Sequence, residues 1–149
     1  MKTKSLLWAA MIPAAFGAGL GTNGIFTRSM AASTSSAPQF VNVVDIKQSD
    51  LVAPRPGIAP EKIIARTETV LLKMQMGAPN KHYHTDSDEI QYVLEGTGTA
   101  WFVDKAVPVK PGDVLFIPKG TPHGAFTEGV KVLTTQIPAT TPANTVNLQ

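Results

Sequence analysis

Along most of this chain apolar and polar residues alternate with a period of two, and the alternation is interrupted every few residues by glycine, proline or a short polar run. Residues two apart share a face of an extended chain, and short β-branched or aromatic runs bounded by turn residues read as strands. Strands are therefore expected at 40–46, 62–66, 69–76, 81–84, 89–95, 97–103, 107–110, 114–117, 122–126 and 130–137. In 69–76, Val70, Leu72, Met74 and Met76 fall on one face, with Leu71, Lys73 and Gln75 on the other. That pattern suits a strand with one buried face, or a wall between a core and a partly covered exterior. The stretch 53–60 holds three prolines and a glycine, which excludes regular structure; it is expected to be a surface connection or a lid over a barrel mouth. Nothing after residue 31 sustains a 3.6-residue period, so the fold class is all-β. This many short strands in about 100 residues predict a sandwich or barrel whose sheets bury a common interior.

Four stretches follow from the composition shifts: a leader over 1–31, a Ser/Ala/Thr-rich linker over 32–39, the β body over 40–137, and a tail over 138–149 that has little to pack and is expected to be loose. The leader has Lys2 and Lys4 ahead of the uncharged apolar run from Leu6 to Leu20. Small residues at Ser29 and Ala31, or at Ala15 and Gly17, supply cleavage positions. These are the features of an export signal, which would place the mature protein in the periplasm or outside the cell. Residues 5–27 carry no charge and are long enough to span a bilayer, so an uncleaved anchor is the alternative. Pro13, Asn23 and four glycines weaken the anchor reading, and a cytoplasmic protein with an unusual start is the third.

Charge changes the picture once the leader is set apart. The net charge of +2 rests on Lys2, Lys4 and Arg28; without them 10 basic residues face 11 acidic ones. A nearly neutral body with no basic patch argues against nucleic acid and anionic membrane surfaces as partners. The chain has no cysteine, which removes disulfides and thiolate ligands, so any metal must be held by nitrogen and oxygen.

The three histidines of the chain, His82, His84 and His123, are the candidate chemistry. On a strand His82 and His84 project to one side with Tyr83 turned away. Thr85–Asp88 is turn chemistry that folds the next strand back, so that Glu89 opens it opposite the histidines. His123 follows a turn built on Pro118, Gly120 and Pro122. Three imidazoles and a carboxylate suit a divalent first-row ion with a position or two left for water or substrate. Gln91 and Val93 share the Glu89 face, where Gln91 could hold a metal-bound water or substrate, or make a structural contact. Tyr92 is expected to pack on the other side. Lys81 could draw an anionic substrate or be a surface lysine.

Taken in order, these residues resemble the cupin family. Its first motif, a glycine, H-x-H, E and a second glycine, is matched by Gly77, His82, His84, Glu89 and Gly96. Its second, a glycine, P-x-G, H and N, is matched by Gly112, Pro118, Gly120 and His123, with Thr127 in place of the asparagine. Gly77 lies one residue closer to the first histidine than is usual in the family. Fifteen residues separate Gly96 from Gly112, the short intermotif length of small single-domain cupins. The resemblance covers about residues 69–137 and implies a double-stranded β-helix, or jelly-roll, barrel. It further implies a divalent metal held by His82, His84, Glu89 and His123, with manganese or iron first and nickel, zinc or copper open. Glu89 and Gln91 are then the candidate catalytic groups. A small oxygen-rich substrate and a dioxygenase or related oxidoreductase activity are expected. An isomerase, a lyase and a binding module without turnover stand as alternatives, because the fold hosts many chemistries. Exposed strand edges at the barrel ends suggest a homodimer.

Overall fold

The structure is a computed structural model that describes residues 37–124 and 129–148. The leader, most of the linker and Thr127 lie outside the described residues. Among the described residues ten strands run β1 (Glu61–Arg66), β2 (Leu71–Met76), β3 (His82–His84), β4 (Asp88–Glu95), β5 (Gly98–Phe102), β6 (Lys105–Val109), β7 (Val114–Ile117), β8 (His123–Gly124), β9 (Lys131–Ile137) and β10 (Thr145–Asn147). They form two five-stranded antiparallel sheets, ordered β1-β2-β9-β4-β7 and β10-β3-β8-β5-β6. The chain crosses repeatedly from one sheet to the other, which is the two-sheet barrel that the alternation predicts and the double-stranded β-helix that the resemblance implies.

Around β2 the first sheet is buried on both faces, and this decides how the alternation there must be read. One face of β2 carries Met74, which is fully buried against Ile46 and Leu51 with Val43, Ile64, Met76 and Leu133 around them. The N-terminal segment thus covers this sheet from outside. The opposite face carries Leu71, Lys73 and Gln75 toward the interior, beside Thr134 and Gln136 of β9. β2 is therefore a wall with a polar inner face, and the lysine side of the 69–76 pattern is the inside. A second cluster, Val93, Ala100, Val109, Leu115, Ile117, Val130 and Val132, fills the space between the sheets. Each of its valine, leucine and isoleucine side chains contributes about 1.5–3 kcal/mol when withdrawn fully from water.

Two segments depart from expectation. Residues 40–46 are not a strand: Val43–Asp45 forms a single 3-10 turn, in which the Asn42 side chain accepts the Val44 amide and competes with extended pairing. Phe40 is 98% exposed while Ile46 is buried, so one anchor residue, not an alternating face, holds the segment. The tail is also ordered. A 3-10 turn at Pro142–Asn144, closed by Thr141 and Asn144, leads into β10, which pairs with β3 in the register Thr145↔His84 and Asn147↔His82. Backbone pairing needs no apolar side chains, which is why composition conceals it. Arg66 reinforces the tail by donating to the Thr140 carbonyl at 2.8 Å.

The proline-rich stretch is tied down at both ends. Val52 and Glu61 exchange backbone hydrogen bonds, and the Asn80 amide donates to the Gly57 carbonyl at 2.9 Å. Ala59 is buried, and with Gln75, Gly77, Pro79, Gln91 and Val132 it lines a small cleft at that end of the barrel.

Candidate metal centre

Backbone register assembles the site. β3 presents His82 and His84 on one face, and β8 pairs with it so that His82 and His123 are direct cross-strand partners. Glu89 enters from the other sheet at the start of β4, where Gln136 of β9 and Ile117 of β7 are its partners. All three histidines and Glu89 are buried. The ring centroids of His82 and His123 are 4.4 Å apart, with His84 5.0 Å from His82 and 5.4 Å from His123. One ligand-capable atom from each histidine lies within 4.8 Å of the others. Metal–nitrogen bonds of about 2.1 Å allow ligands up to about 4.2 Å apart, so sub-ångström movements close this set on one ion.

The imidazoles are also held in the tautomer that coordination needs. A carbonyl only accepts, so His82 Nδ1–H donates to the Asn80 carbonyl at 2.7 Å and His123 Nδ1–H donates to the Thr121 carbonyl at 2.8 Å. In the neutral rings the Nε2 lone pairs are then bare. His123 Nε2 is shut from solvent and has no hydrogen-bond partner. A buried polar atom left alone costs about 1–3 kcal/mol, and a metal ion is the partner that such a lone pair fits. His84 Nδ1 meets the Thr145 hydroxyl at 3.2 Å, which can accept from it or donate to it. His84 Nε2 lies 2.9 Å from both Glu89 Oε2 and Gln136 Nε2.

Electrostatics point the same way for His82 and Glu89, while His123 is drawn toward its protonated form by the carboxylate beside it. Burial, reinforced by repulsion from His123 and His84, lowers His82 from 6.5 to about 4, so it is neutral and ligand-ready at pH 7. Burial alone would raise the Glu89 pKa, but the His123 and His84 imidazoles and the Lys73 cation hold it well below the usual carboxylate range. Burial likewise opposes a charge on His123, yet the Glu89 carboxylate raises its pKa above the ordinary value. His123 Nε2 stands 3.7 Å from Glu89 Oε1, an electrostatic contact too long for a hydrogen bond. Glu89 touches the cluster from the His84–His123 side, and the set whose members all lie within 4.8 Å of one another is the three histidines.

Glu89 is clamped. Gln91 Nε2 donates to its Oε1 and Gln136 Nε2 to its Oε2, each at 2.5 Å. Gln91, a candidate from its parity with Glu89, therefore reaches the site through that carboxylate. Sequence reasoning missed Gln136, Thr134, Lys73 and Thr145. A signal existed for the first two: they share a parity on β9 with Val132, the parity that faces inward. Thr145 gave none, since the tail reads as unstructured. Lys81 lies outside the set, with its ammonium 3.9 Å above the Trp101 ring. Tyr92 is 41% exposed on the outer face and packs less than expected.

Fold and site together define a small β-barrel with a buried, metal-competent histidine triad. Residues 70–135 match the family model described as the Cupin domain, and this stretch of the chain is similar to that family. The chain is 45% identical over 42 residues to protein MJ1618 of Methanocaldococcus jannaschii, covering 28% of this chain and 34% of that one. It is 47% identical over 55 residues to YdbB of Bacillus subtilis, covering 36% and 49% respectively. The matches thus span half or less of these relatives. Among solved structures it is similar to Pac13 of Streptomyces, a nucleoside dehydratase also solved with uridine. The TM-score is 0.59 at 14% identity, over 69% of this chain and 88% of that one.

Proposed function

We propose that this protein is an exported, metal-dependent cupin that acts on a small oxygen-rich molecule, with His82, His84, His123 and Glu89 as the ligands. The observation that carries the reading is the pair of carbonyl-locked Nδ1–H groups, which leave bare Nε2 lone pairs on His82 and His123 in a buried cluster. When bound, the ion supplies Lewis-acid polarisation of substrate oxygens or activation of dioxygen. The chain's own groups orient and exclude water: Asn80, Thr121 and Thr145 aim the rings, while Gln91 and Gln136 hold Glu89 in place. Glu89, kept ionised, suits a ligand better than a general acid. That favours an oxidoreductase of the dioxygenase type over an isomerase or lyase that would rely on a protein acid–base pair. Manganese or iron is the proposed ion. Nickel, zinc and copper are the competitors, and copper and zinc bind nitrogen/oxygen sites more tightly.

Metal analysis of protein purified from its native compartment, followed by oxygen uptake with enolic, phenolic and dicarboxylate compounds, tests this. Stoichiometric metal with oxygen consumption supports it; metal retained without conversion of any compound makes the protein a binding module. Export predicts a mature chain beginning near residue 32 or residue 18, read by mass spectrometry. We also propose a homodimer. Support comes from Ile90, Tyr92, Val114 and Phe116, which are cross-strand neighbours on the outer face and leave Val114 and Phe116 each 63% exposed at the edge strand β7. Light scattering measures the mass directly.

A further inference from the structure

Beyond the metal ligands, the inner face of the first sheet carries polar atoms that nothing satisfies. Gln91 Oε1, Thr134 Oγ1 and Gln136 Oε1 are shut from solvent without a hydrogen-bond partner. They come from two adjacent register rows: Gln91 is paired with Thr134, and Glu89 with Gln136. Thr134 and Gln136 are fully buried and Gln91 nearly so. Native interiors leave few such atoms unpaired, and three in one corner beside a metal-competent cluster call for a ligand.

Glu89 fixes which chemistry these atoms offer. A carboxylate accepts and does not donate, so each glutamine must turn its NH2 toward Glu89, as both do at 2.5 Å. The amide oxygens are left as acceptors, and the clamp prevents either amide from flipping to present a donor. The cation on this face, Lys73, is already bound to Glu61 at 2.9 Å and brings no unbalanced positive charge. Two carbonyl acceptors beside an ionised glutamate repel an anion and welcome O–H or N–H groups.

We propose that Gln91, Thr134 and Gln136 form a recognition band for the hydrogen-bond donors of an uncharged ligand, so that the substrate of this site carries hydroxyl, enol or amide groups there and not a carboxylate. This deepens the metalloenzyme reading and rests on it for the reaction, but not for the recognition, which is measurable without metal.

The test is calorimetric titration of the full chain, both metal-loaded and chelator-treated, with matched pairs of neutral donor and carboxylate: lactamide against lactate, and glycolamide against glycolate. The expected result is at least tenfold tighter binding of the neutral member in the chelator-treated protein, and a smaller preference in the loaded form, where a divalent cation would draw the carboxylate. Thr134→Val, nearly isosteric, removes a hydroxyl with no partner, so the ligand-free protein should melt at the same or a higher temperature and keep its metal. It should nonetheless bind lactamide about fivefold more weakly. Gln136→Met is the second variant and should weaken lactamide binding by a similar or larger factor. Carboxylates that bind the chelator-treated protein as well as the amides, binding of neither, or a Thr134→Val protein that holds lactamide unchanged would each overturn the proposal. Loss of metal by the wild type with the amide preference intact would instead defeat the metalloenzyme reading alone.

Discussion

Replacing Gly124 by alanine tests the geometry of the site through its backbone, without touching a ligand. Gly124 follows His123 on β8 and adopts φ +136°, a region that side chains with a Cβ rarely enter. An added Cβ would sit 2.7 Å from the Asn80 carbonyl oxygen and 3.2 Å from Lys81 Cα. Carbon–oxygen contacts relax at about 3.3–3.6 Å, so β8 and the Asn80–Lys81 backbone must part by about 0.6 Å. That carbonyl is the one that accepts His82 Nδ1–H, and His82 and His123 are register partners. One methyl group therefore displaces two ligands from each other by more than the roughly 0.2 Å a metal site tolerates. We expect the Gly124→Ala protein to fold with about 1–3 kcal/mol less stability and to bind metal about 10–100-fold more weakly, the range for damage to groups that orient ligands. Gly120→Ala is the control: its φ is +76°, but nothing lies within 4 Å of the added Cβ. It should cost stability while leaving metal affinity within about threefold, because backbone strain without a clash moves no ligand. Urea titration gives the first quantity and competition with a chromophoric chelator the second. If Gly124→Ala and Gly120→Ala bind metal alike, backbone approach does not set the triad.

Other expectations follow from the same contacts. Thr145→Val keeps the β10 main-chain pairing but removes the hydroxyl 3.2 Å from His84 Nδ1; metal affinity should fall about tenfold with little change in the melting temperature of the metal-free protein. The pH dependence of that metal-free protein should carry the mark of His82, whose folded pKa of about 4 lies below the unfolded value of 6.5. The unfolded chain takes up that proton first, so stability falls as pH drops from 6.5 toward 4. His123, raised in the fold, contributes with the opposite sign: its stabilisation is complete below 6.5 and is lost as pH rises through its folded pKa. The difference between wild type and His82→Gln isolates the first effect and should shift in favour of the variant by about 2–3 kcal/mol between pH 6.5 and 4.5, read from urea midpoints. Val93→Ala, at a fully buried position in the inter-sheet core, should cost about 1–3 kcal/mol by equilibrium unfolding and leave metal binding intact. Chelation should lower stability by about 2.7 kcal/mol relative to protein with free ion at a hundred times its Kd, seen as a lower melting temperature.

How much of this was legible in the residues depended on whether a signal was local. Alternation and turn chemistry located the strands from β1 to β9, because a glycine or proline next to a β-branched run means the same thing in any context. The motif pair placed His82, His84, Glu89 and His123 in one site, since their spacing reflects strand parity and register. Inside and outside were harder to tell. The Lys73 face of β2 looks like a solvent face, yet it lines the interior, where Glu61 pairs the lysine; the apolar face lies under the N-terminal segment. The same inversion hid Thr134 and Gln136, polar residues that face a polar site. The tail escaped detection because β10 depends on the unpaired edge of β3, a partner about sixty residues away in the chain. Residues 40–46 misled because the β-branched content of Val41, Val43 and Val44 outweighs, on paper, the single side-chain cap from Asn42 that forms the turn.

The central claim, that three carbonyl- and hydroxyl-oriented imidazoles and one clamped carboxylate hold a single transition ion, is tested most directly by crystallography of natively purified protein with anomalous data across the first-row metal edges. The account predicts one anomalous peak, bonded to Nε2 of His82, His84 and His123 at about 2.0–2.2 Å, with Glu89 as the oxygen ligand. An anomalous map with no peak at the triad, or an ion bound through Nδ1 or away from Glu89, would contradict it.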